Sequence, residues 1–193
     1  MGTRGAFGFR KNGVDKIMYN HWDSYPDYLG KVILEFCSST KVDEINDMFD
    51  KIEMVDEYSK PSKEQITFCV DNNIYNSTVS NCSVDDWYCL LREEQGNLEL
   101  IRDIIRKNNK AYMIDNASFL KDSLFCEYAY IINLDTNNLE YYVGFQKMPQ
   151  EGNRYGENPN RDGYYPCRLT FEIPLDSIDD IDEIVKRMNG IEK

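Results

Sequence analysis

Long apolar runs are missing from this sequence. The longest, residues 128–132 and 32–34, fall far short of the roughly 20 apolar residues that a membrane-spanning helix needs. A basic stretch followed by an apolar segment, the mark of a secretory leader, is missing too, so neither export nor membrane insertion is expected. Gly2 invites N-myristoylation, but Ala6 stands where that motif wants Ser or Thr. Histidine occurs once, at His21, which excludes most metal centres built on several imidazoles. No GxxxxGK[ST], HExxH, GxSxG or GxGxxG is present, and Asp135 with Asn137 and Asn138 lacks the Gly and distant Glu of a calcium loop. No metal or other cofactor is expected.

Six cysteines are present, none in a CxxC pair, so a zinc site is not expected. Cys37 and Cys69 lie in apolar helical runs and Cys126 and Cys167 in apparent strands, where a free thiol behaves as a small buried hydrophobe. This usage fits a reducing cytosol, so a cytoplasmic location is expected. Positive charge is scarce as well: the net charge is −12 and the isoelectric point about 4.6. Such a chain repels phosphate backbones and anionic lipid at long range, so direct nucleic-acid and membrane binding are disfavoured. The same charge attracts a basic protein, including one that itself binds nucleic acid. It also simply favours solubility.

What is present is enough for a core: 41% of residues are hydrophobic, too many for disorder. Residues 3–10 alternate, Asn12-Gly13 supplies turn chemistry, and residues 16–22 resume a strand pattern, which predicts a β-hairpin over 3–22. Apolar residues at helical spacing follow in Leu29, Val32, Ile33, Phe36 and Cys37, and again in Val42, Ile45, Met48, Phe49 and Ile52. The second stripe backs an acidic face, and its acidic row runs on to Glu57. Ser62 and Gln65 fit a capping box, Ser83 a cap for a short helix around Trp87, and Leu98 to Ile105 a further helix. Residues 74–82 read as a loop. A strand is expected at 111–114, and a second hairpin over 125–146 turns at residues 135–138. Residues 147–166 form a long loop, of a length at which a functional role outweighs simple connection. A strand at 167–173 and a helix at 178–189, capped by Ser177 with Asp180, complete the chain. Together these predict one α+β domain over 1–193, with antiparallel hairpins in a sheet, a segregated helical middle at 28–108 and strands through 111–173.

The segment Tyr19-Asn20-His21-Trp22-Asp23-Ser24-Tyr25-Pro26, with Thr3-Arg4 before it, resembles a widespread group of uncharacterised phage and prophage proteins. These open with a small residue plus Thr-Arg, run through a hairpin and continue as His-Trp-Asp-x-Tyr-Pro. The resemblance covers about the first 35 residues and implies a viral or mobile-element source, without bringing an activity or a catalytic residue.

Four groups of residues are candidates for function. His21 with nearby Asp23 could act as a general base or proton switch, or could fix the hairpin-to-helix corner with Trp22 and Tyr25 as packing residues. Thr3 on a first strand is compatible with an N-terminal nucleophile, although Met1 removal would expose Gly2 rather than Thr3. Asp43, Asp47 and Asp50 share one helix face, and acidic rows there and at residues 176–183 could stand in for phosphates. In the long loop, Tyr155, Tyr164 and Tyr165 are either recognition residues or packing residues. The leading expectation is a phage-type interaction protein that binds and inhibits a basic host defence protein, of anti-CRISPR or anti-restriction type. The alternatives are a small hydrolase using Thr3 or His21 with Asp23, and a small-molecule sponge with an aromatic pocket.

Overall fold

The computed structural model describes residues 2–76, 78 and 82–191. The expected first hairpin is strand β1 (Gly5–Lys11) and strand β2 (Val14–Asn20), antiparallel and turned at Asn12 and Gly13, both with positive φ. Asp135 reaches across from the second hairpin and accepts hydrogen bonds from the Asn12 and Gly13 amides at 2.5 and 3.0 Å. A π-helical turn, Pro26–Gly30, leads into helix α1 (Lys31–Ser39), followed by helix α2 (Val42–Lys51).

The helical stripe of α2 suggests a helix through Ile52 and an acidic row to Glu57, yet the helix stops at Lys51. Residues Ile52–Val55 are strand β3. Lys16 Nζ closes the helix end by donating to the Phe49 and Ile52 carbonyls at 2.8 and 2.5 Å, a cation at the negative end of the helix dipole. Helix α3 (Lys63–Asp71) opens with the Ser62/Gln65 capping box read from the sequence. Helix α4 (Trp87–Leu90) is one turn capped by Asp86, not Ser83, whose carbonyl instead accepts from the Asp86 amide. Of the expected loop at 74–82, Ser77 and residues 79–81 lie outside the described residues. Helix α5 (Leu98–Asn108) ends on Asn109 in the left-handed region and leads to strand β4 (Ala111–Ile114).

Strand β5 (Tyr128–Asn133) and strand β6 (Asn138–Val143) form the second hairpin, and strand β7 (Arg168–Pro174) adds antiparallel to β6. Helix α6 (Ile181–Asn189) begins three residues later than expected. Asp180 caps it, while Ser177 lies in a separate 3-10 turn and Ile178 precedes the helix.

The fold is α+β, with a five-stranded sheet in the order β2-β1-β5-β6-β7 and a two-stranded sheet of β3 and β4. The hairpins are antiparallel as expected, but β1 joins β5 in parallel, and β3 and β4 are also parallel. A parallel pairing needs a crossover, and here residues 21–127, with all helices but α6, lie between β1's hairpin and β5.

Helices cover one face of the main sheet, where Phe7, Phe9, Tyr130, Ile132, Tyr141 and Val143 meet residues of α1, α2, α5 and α6. The alternate residues Ala6, Ile17, Ala129, Ile131 and Tyr142 point the other way, into a second core with Leu120, Tyr155 and Cys167. The segment at 147–166, through Tyr155, and the turn at 117–126, through Phe119, Leu120 and Cys126, together form the layer over that second face. This explains why β5 is apolar on both sides. Beneath the layer, Arg154 forks onto Glu140, with Nη1 to Oε1 at 3.0 Å, and Asn133 and Tyr142 also donate to that carboxylate.

Candidate binding surface at the hairpin corner

The corner that the sequence singles out sits at the end of β2, and hydrogen bonds lock it. Asn20 is buried and donates through Nδ2 to Ser24 Oγ at 2.9 Å and to the Trp22 carbonyl at 2.5 Å. Tyr130 of the central strand donates to the Ser24 carbonyl at 3.0 Å, and the Ser24 amide donates to the Thr3 carbonyl at 3.1 Å. Gly5 permits this approach: a Cβ there would lie 2.6 Å from that of Ser24 and 2.5 Å from the Tyr128 carbonyl oxygen.

His21 and Asp23 are expected to act together, but they do not bond each other. His21 Nδ1 meets the Tyr19 hydroxyl at 2.7 Å, and its ring lies edge-on to Trp22. Partial burial, then the Arg92 and Arg4 charges, hold His21 below its ordinary value, while burial raises Tyr19. The imidazole is therefore neutral at pH 7 and shares one hydrogen bond with the phenol. Asp23 is exposed with φ of 49°, and only its carbonyl takes part in the corner, accepting from the Leu29 amide at 3.2 Å. Asn20, Ser24 and Tyr130 perform the fixing role that the sequence suggests for His21 and Asp23. Thr3 is buried beside them.

Locking the corner leaves its aromatics outside. Trp22 is 53% exposed and Tyr28 60%, with Tyr25 and Phe125 also exposed. Tyr25 lies 6.3 Å from Tyr28 and 6.2 Å from Tyr128 between ring centroids, and the Arg4 guanidinium lies 5.3 Å above Phe125. A hollow of about 370 Å³ opens between Thr3, Arg4, Tyr25 and Phe125. Trp22 and Tyr25, expected as packing residues, are thus only partly covered, at 53% and 39% exposure. Trp22 rests on Gly2, where a Cβ would lie 2.2 Å from its ring.

The remaining candidates lie elsewhere. Asp43, Asp47 and Asp50 are exposed on α2, but Asp50 pairs with Lys11 at 2.8 Å and Asp47 with Lys51 at 2.7 Å. Asp43 has no ion-pair partner among the described residues. Tyr155 is only 6% exposed, packed edge-on to Tyr142 under Arg154, which makes it a core residue and not a recognition residue. Tyr164 and Tyr165 are half-buried, Tyr164 beneath the Lys147 ammonium.

Cys82 and Cys89, which the sequence leaves without a role, form a disulfide that ties the segment before α4 to that helix. The other four cysteines are free and buried. Cys126 and Cys167 lie just outside the strands expected to hold them, with the Cys167 thiol 3.3 Å from the Cys126 carbonyl. Burial pushes Cys69 up to about 12, so its thiol is inert at neutral pH. Among the described residues no cluster of His, Cys, Asp and Glu could hold a metal ion, and no helix is long and apolar enough to cross a membrane. No protein-family model, curated protein or solved structure matches this chain.

Proposed function

We propose that this chain is an acidic interaction protein of phage type that binds and inhibits a basic, nucleic-acid-handling host protein, as an anti-CRISPR or anti-restriction factor would, in the host cytosol. The observation that carries this reading is the row of Trp22, Tyr25, Tyr28 and Phe125 held outward on a hydrogen-bonded corner. Trp and Tyr are the residues most enriched among interface hot spots, and a rigid corner spares the ordering cost that a flexible loop would incur. The net charge of −12 favours a basic partner. Support for a hydrolase is weaker: Thr3 is buried, and His21 and Asp23 form no dyad.

The test is affinity capture from host lysate, followed by binding measurements on the purified partner. Trp22→Ala with Tyr28→Ala should leave thermal melting unchanged, since both side chains are mostly solvated, and should weaken binding about thirtyfold. A partner bound equally well by parent and double variant removes the corner from the mechanism. A captured partner of acidic surface removes the charge argument.

A further inference from the structure

Beside the corner lies a cleft of about 400 Å³, lined by Tyr19, Glu57, Tyr58, Tyr88, Asn116, Phe119 and Asp122. Its residues come from β2, the segment after β3, α4, and the turns after β4. Three properties of the lining bear on what it holds.

The walls are aromatic. Tyr19 and Phe119 pack edge to face at 5.1 Å, and Tyr88 and the 91% exposed Tyr58 complete the aromatic lining. Tyr58 has no packing role at such exposure.

The rim carries two carboxylates that lack a cation. Among the described residues Glu57 accepts only from the neutral Asn116 amide, at 3.2 Å, and Asp122 accepts from neutral Asn160 at 2.9 Å. Neither forms an ion pair among the described residues, whereas Asp15, Glu44, Asp47, Asp50 and Glu140 all do. Each hydrogen bond fixes its carboxylate and leaves its charge uncompensated.

The nearby cations Arg92 and Arg4 bond to neutral groups and rings and form no ion pair with these carboxylates. Arg92 donates to the Tyr88 hydroxyl at 3.1 Å and to Gln95, with its guanidinium 5.3 Å from the Tyr88 ring centroid. Arg4 lies over Phe125. The Tyr88 ring thus already serves as a platform for one guanidinium, that of Arg92.

We propose that this cleft binds a guanidinium group, its plane against the tyrosine rings and its N–H groups on Glu57 and Asp122. A planar, weakly hydrated cation suits this lining better than an ammonium, because it can stack on an aromatic face and reach carboxylates with several donors at once. A phosphate is disfavoured by the same two carboxylates. The guanidinium would come either from an arginine side chain of the basic partner or from a free small molecule. Only the first source rests on the function proposed above, and the cleft itself is tested without any partner.

The probe is N-acetyl-arginine methylamide, titrated into the whole protein and followed by NMR shifts of the aromatic and amide signals. The expected result is saturable shifts centred on Tyr19, Tyr58, Tyr88 and Phe119. The lysine analogue should bind more weakly, and the neutral citrulline analogue about tenfold more weakly or worse. Glu57→Gln keeps the Asn116 hydrogen bond and should also weaken binding about tenfold. Tyr58→Ala changes a solvated side chain, so it retains the fold and serves as a second variant. A citrulline analogue that binds as well as the arginine probe, shifts that map away from the cleft, or no saturable shift overturns the proposal. A captured partner then separates the sources: competition by the probe against its binding assigns the partner's arginine, and unimpaired partner binding alongside probe binding assigns a free guanidinium compound.

Discussion

Glu94 closes a short 3-10 turn, Arg92–Glu94, and is fully shielded from water. Among the described residues neither of its carboxylate oxygens meets a hydrogen-bond donor. Burial raises its pKa well above the ordinary carboxylate value, so the folded state keeps the proton that the unfolded chain releases. The sign follows from linkage: the group's contribution is intact below the unfolded pKa near 4.5 and declines as pH rises toward the folded value. Glu94→Gln carries no titrating proton. Its stability relative to the parent should therefore climb with pH, by up to about 1.4 kcal/mol per pH unit above the unfolded pKa. Urea unfolding at pH 5 and pH 7.5 measures this, and a difference independent of pH would show that Glu94 is ionised in the fold. At the same scale the corner was half legible. The pattern His-Trp-Asp-x-Tyr-Pro drew attention to the corner, but Asn20 and Ser24 hold it because a residue 106 positions away, Tyr130, donates to the Ser24 carbonyl.

Among the elements, the segment at 147–166 departs most from its sequence pattern. Without periodicity it reads as a long loop whose tyrosines serve either recognition or packing, and Arg154 and Tyr155 insert under it against Glu140 and Tyr142 of β6. The Glu140 side chain is 3% exposed. Burial alone would raise its pKa, but hydrogen bonds from Arg154 and Asn133 hold it below the usual value. Arg154→Leu would strand that carboxylate, at a cost of about 3–5 kcal/mol, whereas Glu140→Leu with Arg154→Leu should recover most of the loss. Chemical denaturation of both variants checks this. Equal losses would mean that the loop is pinned by its apolar contacts and not by the ion pair. Strand β3 was hidden for a related reason. Ile52 continues the three-and-four spacing of α2, and only pairing with Ala111, 59 positions on, converts it to a strand.

For the whole molecule, the charge of −12 is a property of composition, but how it is spread is a property of the fold. On α2 the structure neutralises part of the acidic face: Lys11, Lys51 and Arg106 pair with Asp50, Asp47 and Glu44. Exposed pairs of this kind contribute little to stability, so Asp43→Asn with Asp47→Asn and Asp50→Asn should cost about 1 kcal/mol or less. If α2 steers a basic partner, the association rate should fall and the salt dependence of affinity weaken, read by stopped-flow binding at low and moderate salt. Equal rates and salt slopes for parent and variant would leave steering to acids elsewhere.

The sequence by itself determined the elements whose signals are local. Alternation and Asn12-Gly13 specify the first hairpin, residues 135–138 the second turn, a capping box the start of α3, and 3.6-residue spacing the faces of α1, α5 and α6. Those patterns rest on contacts within a few residues, and they suffice for the α+β class. Tertiary structure alone decided the parallel joining of β1 to β5, strand β3 and its pairing with the expected β4, the burial of Tyr155, the Cys82–Cys89 bond and the cleft at Tyr19, Glu57, Tyr88 and Phe119. Each brings together segments whose side chains carry no local mark of their partners. Burial and charge compensation are properties of the neighbours that the fold assembles around a residue, not of the residue's own stretch of chain.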